Sequence, residues 1–433
     1  MADSTASRDG TRRALSRKTY PARRSHMPRF KAGPGFLVTA AFIGPGTVVT
    51  ASRAGAGYGT TLLWAVLFSV FATIVLQDMA ARVGIAGRRS LAEAIRDSLA
   101  NPAVRIAALG LIAFTILIGN AAFQTGNLLG ASLGLSLLTG LPAGLLVLIV
   151  GSLAGALLMT GTYKIIQNAL VFLVGLMSVV FFMVAILSAP SLGDLLSGFF
   201  VPRIPPDPQG LITVMALIGT TVVSYNLFLH TSATLERWPD ADRTEESIRE
   251  SRQDTLFSVV LGGLITAAVV VAATPLLGQG ADAADAAAVA SQLEPLLGRA
   301  APIFFGIGLF AAGLTSAITA PLAAAYAAGG ALGWGSDLKS GRIRLLWGFV
   351  LLTGMSFGIF LGASPYQIIL LAQAGNGIFL PLALILLLIV VNKTGIMGKY
   401  KNSTLANVLG VFVVLVISGL SLVQLARVLG LSG

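Results

Sequence analysis

Long apolar runs fill most of this chain, separated by short polar or charged breaks. A bilayer core near 30 Å thick takes roughly 20 apolar residues per helix, and runs of that length recur from end to end. They predict eleven helices, over residues 34–56, 60–83, 103–133, 142–160, 164–188, 210–234, 254–277, 300–332, 343–361, 366–391 and 404–430. A closed barrel would instead show ~ten-residue segments of alternating polarity. The pattern is therefore that of an all-α polytopic membrane protein with 11 transmembrane helices, and the lipid bilayer is its first partner.

Composition sharpens this picture. Of 433 residues, 55% are hydrophobic and 11% are charged, too few charges to cover a water-soluble surface. There is no Cys, which removes disulfides, thiolate ligands and thiol catalysis together. With no paired intramembrane carboxylates and one membrane His, no catalytic constellation is visible, and neither an enzyme nor a cofactor is expected. The net charge of +11 could suggest nucleic acid, but its placement says otherwise. With the N-terminus in the cytoplasm, only Arg53, Arg203, Arg299 and Arg427 of the 29 Lys and Arg fall outside. Lys and Arg are retained on the cytoplasmic face, so the charge reports topology: N-terminus inside, C-terminus outside, in a cell (inner) membrane. Residues 1–32 read as a disordered basic cytoplasmic tail suited to anionic headgroups, and 33–433 as the integral domain.

The first span carries Gly44-Pro45-Gly46 at its middle. Proline removes a backbone donor and the glycines add freedom, so unwinding is expected at mid-membrane depth. Two readings stand side by side, a simple kink and a binding site.

Longer stretches point to a family. Gly33-Pro34-Gly35-Phe36-Leu37-Val38 through Gly44-Pro45-Gly46-Thr47, with Ala54-Gly55-Ala56 and Leu62-Leu63-Trp64, resembles the first helix and a half of the NRAMP (natural resistance-associated macrophage protein) metal-ion transporters. Gly219 to His230 resembles the family's sixth helix and Gly308 to Thr319 its eighth, while Gln373, Leu380-Pro381, Asn392-Lys393 and Met397-Gly398 resemble its tenth helix and the loop beyond. The resemblance implies a LeuT-like fold: an inverted repeat of helices 1–5 (about 33–190) and 6–10 (about 208–392), plus helix 11 (about 404–430). Helices 1 and 6 are then broken at the substrate, where half-helix dipole ends and free carbonyls meet. It also implies transport of a divalent cation by alternating access.

At the positions where the resemblance calls for metal ligands, the chain departs from the family. An Asp and an Asn in helix 1 and a Met in helix 6 are Gly44, Thr47 and Val223 here. The resemblance then leaves Gly44, Pro45, Gly46, Thr47, Thr220, Val223, Ser224, Tyr225 and Gln373 as substrate-site residues, with no metal ligand assigned. Neutral oxygens hold a dehydrated divalent ion poorly, whereas an ion that keeps part of its water shell asks less of them. Positions the family uses for proton coupling are Gln124 and Asn127, which cannot titrate, and Tyr225 replaces one of its His residues. His230, the second, can titrate or serve as a packing residue. Arg53 lies about two turns beyond the break, where it repels an entering cation or snorkels to the interface. Asp78 and Asp254 are the most embedded acids, expected to pair with inner basic residues. Three functions remain: divalent cation transport through an altered site, transport of a neutral or anionic organic solute on the same scaffold, and a non-transporting sensor.

Overall fold

The computed structural model describes residues 33–188, 190–277, 294, 298–360 and 380–428. Its elements are helical, with no strand among the described residues. Among the described residues eight helical stretches, one of them the interrupted Gln209–Arg237, are long and apolar enough to cross a membrane; two bent pairs, Pro34–Phe42 with Pro45–Tyr58 and Leu380–Asn392 with Thr394–Tyr400, and the 17-residue Ala143–Met159 fall along the other expected spans. In chain order they are α1 (Pro34–Phe42) with α2 (Pro45–Tyr58), α3 (Leu63–Ile85), α5 (Pro102–Thr139), α6 (Ala143–Met159), α7 (Tyr163–Leu187), α9 (Pro208–Thr221) with α10 (Ser224–Arg237), and α11 (Thr244–Ala272). Then come α12 (Ala301–Ala331), α13 (Gly341–Phe360), α14 (Leu380–Asn392) and α15 (Thr404–Val428). Most of the tenth expected span, residues 366–379, lies outside the described residues, as does the 1–32 tail.

Two short helices were not foreseen. α4 (Leu91–Ser98) opens on a capping box in which Ser90 and Glu93 satisfy each other's backbone N–H groups. α8 (Leu192–Phe200) is capped by Ser191 and carries exposed Leu192, Leu196 and Phe200. The seventh helix also begins ten residues earlier than hydropathy suggested, because Glu245 and Glu246 in its first turn favour the positive end of the helix dipole.

Large apolar side chains such as Phe172, Ile186 and Phe360 point outward, as lipid permits, and the interior packs large residues such as Phe42, Phe228 and Tyr326 together with small Ala, Ser and Thr. At the centre, α5 and α12 meet backbone to backbone. A Cβ added at Gly134 would lie 2.5 Å from the Gly306 carbonyl oxygen, and one at Gly313 would lie 2.5 Å from the Ala131 nitrogen. Only glycine permits that approach.

Both repeats begin with an interrupted helix. Between α1 and α2, Ile43 and Gly44 leave helical geometry (φ −86°, ψ 83°; φ −114°, ψ −177°), and the two halves meet at 58°. Between α9 and α10, Val222 and Val223 are extended (φ −91°, ψ 95°; φ −115°, ψ 132°). No proline forces this second break. The β-branched run Thr220-Thr221-Val222-Val223 tolerates extended backbone well, and the Thr220 and Thr221 hydroxyls both bond to the Leu217 carbonyl.

Candidate functional site

Pro45 has no N–H, so the carbonyl of Ala41, four residues before it, loses its helical donor. The Tyr225 hydroxyl supplies the missing bond, donating to the Ala41 oxygen at 3.1 Å. The next carbonyl, Phe42, accepts from the Thr47 hydroxyl, and Ile43 accepts from Thr315 at 3.4 Å. The break in the first span is thus stitched by side chains from α2, α10 and α12. Four helix ends converge here: the carbonyl-rich ends of α1 and α9 and the N–H-rich starts of α2 and α10. Partial charges of both signs therefore face one point.

At that point lies a cavity of about 30 Å³, room for one or two waters. Of the expected residues, Gly44, Gly46, Thr47, Thr220, Val223 and Tyr225 line it, and so does Asn127, assigned from sequence to coupling. Pro45 packs instead on Gly130 of α5, and Ser224 is buried at the start of α10 without lining the space. Gln373 lies outside the described residues. The expected substrate-sized opening is a water-sized one in this conformation.

Five lining residues were missed: Ala41, Phe42, Phe123, Gly219 and Ser316. Phe123 sits one turn before Asn127 on α5 and meets the Tyr225 ring edge-on, with centroids 6.0 Å apart. Ser316 matters most. Its hydroxyl is buried without a hydrogen-bond partner, and a Cβ added to Gly44 would lie 2.6 Å from that oxygen. A helix-12 hydroxyl thus stands against the position from which a longer residue-44 side chain would project.

The remaining candidates lie away from the cavity. Gln124 is fully buried and donates to the Ala317 carbonyl at 3.0 Å, tying α5 to α12. Arg53 is half-buried on α2, about two turns beyond the break. His230, also fully buried, places Nδ1 3.0 Å from Gln77 Oε1, while its Nε2 has no partner. Asn226, one turn earlier on α10, and Thr73, one turn before Gln77 on α3, also carry unpartnered buried polar atoms.

Asp78 pairs with Arg82 (2.9 Å) and Arg252 (2.7 Å), as expected. Asp254 does something different. Its carboxylate accepts the Gly33 and Gly35 backbone N–H groups at 2.8 and 2.6 Å, capping the start of α1 from α11. Among the described residues, no cluster of three His, Cys, Asp or Glu could hold a metal. The cavity's side-chain donors are hydroxyls and one amide.

A family profile described as "Natural resistance-associated macrophage protein-like" (Nramp) matches residues 35–427. The "Divalent metal cation transporter MntH" of Erwinia tasmaniensis is 29% identical over 404 residues, covering 91% of this chain and 94% of that protein. The protein of the same name from Deinococcus radiodurans is 30% identical over 411 residues, 92% of this chain and 90% of the relative. Among solved structures, the Eremococcus coleocola manganese transporter, in complex with an aromatic bis-isothiourea substituted compound, superposes with a TM-score of 0.78 at 23% identity, covering 93% of this chain and 88% of that one. MhsT in complex with L-phenylalanine gives 0.60 at 14% identity, with 92% and 98% covered. At such identities the structural likeness shows the fold, the LeuT-like helical arrangement.

Proposed function

This chain belongs to the Nramp family, and we propose that it is a secondary transporter that carries a divalent cation, with part of its water shell, through a neutral oxygen-lined site. The observation that carries this reading is the cavity at the junction of the two interrupted helices. Its side-chain donors are Thr47, Thr220, Tyr225, Asn127 and Ser316, with no carboxylate and no thioether. Hard neutral oxygens suit an ion such as Mg²⁺, which keeps several waters, better than a softer ion that is held by direct ligands. The cavity's small size in this conformation means that the loaded states are wider. Alternating access opens the site to each side in turn, with the N-terminus in the cytoplasm and the C-terminus outside an inner membrane, as the Lys and Arg distribution supports.

The test is uptake into proteoliposomes of Mg²⁺, Mn²⁺ and a panel of neutral and anionic solutes. Saturable Mg²⁺ entry is expected, with Mn²⁺ entering far more slowly than through a relative that carries the full ligand set. Thr47→Ala and Asn127→Ala should each weaken Mg²⁺ entry. Robust Mn²⁺ uptake at micromolar concentration would contradict the site reading. Accumulation of an organic solute with no divalent ion entry would establish the alternative cargo on the same scaffold.

A further inference from the structure

The inner end of α3, the first turns of α11 and the link into α15 line a second, open cavity, about 400 Å³ in volume. Its wall is charged: Asp78, Arg82, Glu245, Arg252, Lys399 and Lys401 all line it. Arg82 is buried and fully engaged, donating to Asp78 (2.9 Å), the Tyr400 carbonyl (3.0 Å) and Asn402 Oδ1 (2.7 Å). The other Asp78 oxygen takes Arg252 Nε, and Glu245 takes Lys399 Nζ at 2.6 Å. Both carboxylates are thereby occupied, and four cations against two acids leave a surplus of two positive charges. The terminal nitrogens of Arg252 and the ammonium of Lys401 have no partner among the described residues and are exposed. A phosphate group fits such donors.

The surroundings say which phosphate. On α3, the stripe that ends in Asp78 and Arg82 begins with Leu67 and Phe71, both exposed. On α11, the i, i+4 series that starts at Arg252 continues through Leu256, Val260 and Leu264, again exposed. α15 presents Leu405, Val408 and Phe412 outward, and Phe412 meets Phe68 of α3 edge-on at 6.3 Å. α3 packs against both α11 and α15. From Arg252 to Leu264 the apolar stripe runs about 18 Å along the helix, close to the length of an acyl chain. Charge at the inner end and an apolar strip above it reproduce the two parts of a phospholipid.

We infer that this cavity is a binding site for an anionic phospholipid, with the phosphate headgroup on Arg252 and Lys401 and the acyl chains along α3 and α11. The site is separate from the cargo cavity and independent of what the protein carries.

Native mass spectrometry of the full-length protein, with phosphatidylglycerol or phosphatidylcholine added, tests this directly. Phosphatidylglycerol should be retained preferentially, and Arg252→Gln with Lys401→Gln together should weaken its binding roughly 30-fold, the loss expected for two interfacial basic charges. Both side chains are exposed, and Arg82 keeps Asp78 paired, so the double variant should melt in detergent alone like the parent. Lys393→Gln, an exposed charge outside the cavity, should retain the lipid normally. Equal retention of the two lipids, unchanged binding by the double variant, or an equal loss in Lys393→Gln would each overturn the assignment. Inorganic phosphate that raises the melting temperature as much as phosphatidylglycerol does would overturn the lipid and make this a soluble-anion site.

Discussion

At Gly44 the absence of a side chain is enforced by a neighbour, since Cβ atoms essentially never approach another heavy atom as closely as the 2.6 Å that Ser316 Oγ would impose. Gly44→Ala should therefore destabilise the protein by about 1–3 kcal/mol, the usual cost of overpacking. Ser316→Ala in the same chain should recover most of the loss, because the nearest remaining Ser316 atom is 3.3 Å away. Thermal melts of both variants decide it, and a Gly44→Ala protein that melts like the parent would refute the packing argument. The proline break could be read from the sequence, but Ser316 could not. α12 is buried around nearly its whole circumference, so its apolar periodicity does not reveal which face meets the cavity. A second residue-scale expectation concerns protons. Asn127 and Tyr225 line the cavity and Gln124 is tied to α12, none of them a group that exchanges protons near neutral pH. Mg²⁺ uptake should therefore acidify the vesicle lumen little, as a trapped pH dye would report. Stoichiometric proton entry that survives His230→Ala would defeat this.

Among the helices, α1 is the most distinctive, being nine residues long and held at its start by a carboxylate on another helix. Hydrogen bonds to a charged group are worth about 1.5–3 kcal/mol each, and an amide oxygen at the same place would leave one N–H poorly served. Asp254→Asn should cost about 1.5–3 kcal/mol and speed hydrogen exchange over residues 33–36 ahead of the rest of the fold. Unchanged exchange there would mean that α1 is anchored by packing alone. The sequence placed Asp254 near the inner face but paired it with basic residues, since hydropathy cannot foresee a carboxylate crossing to another helix's backbone. The interruption between α9 and α10 was similarly hard to read. It lacks a proline, and a β-branched run fits a membrane helix as well as an extended link. The helices α4 and α8 were lost for another reason: they are too short for a spanning search, although Ser90-x-x-Glu93 is a readable capping box.

For the whole molecule, the described spans were legible because lipid imposes one length and one polarity on every crossing, while the small size of the central cavity was not, because hydropathy carries no record of conformation. A central cavity with room for one or two waters has to widen to admit the partly hydrated ion proposed above. The chain offers a clean way to watch it, for it contains no Cys. Thr220 lines the cavity and is only 7% exposed, so in this conformation a Thr220→Cys thiol is out of reach of a bulky reagent. If the two sides open in turn, a membrane-impermeant thiol reagent should modify Thr220→Cys slowly from either face, and Mg²⁺ should alter the rate by shifting the population of open states. A cysteine placed at exposed Lys393, on the loop after α14, should react from one face only and calibrate the sidedness. A Thr220→Cys protein that stays unmodified from both faces, in membranes where Lys393→Cys reacts readily, would mean that the scaffold is locked and that alternating access does not occur.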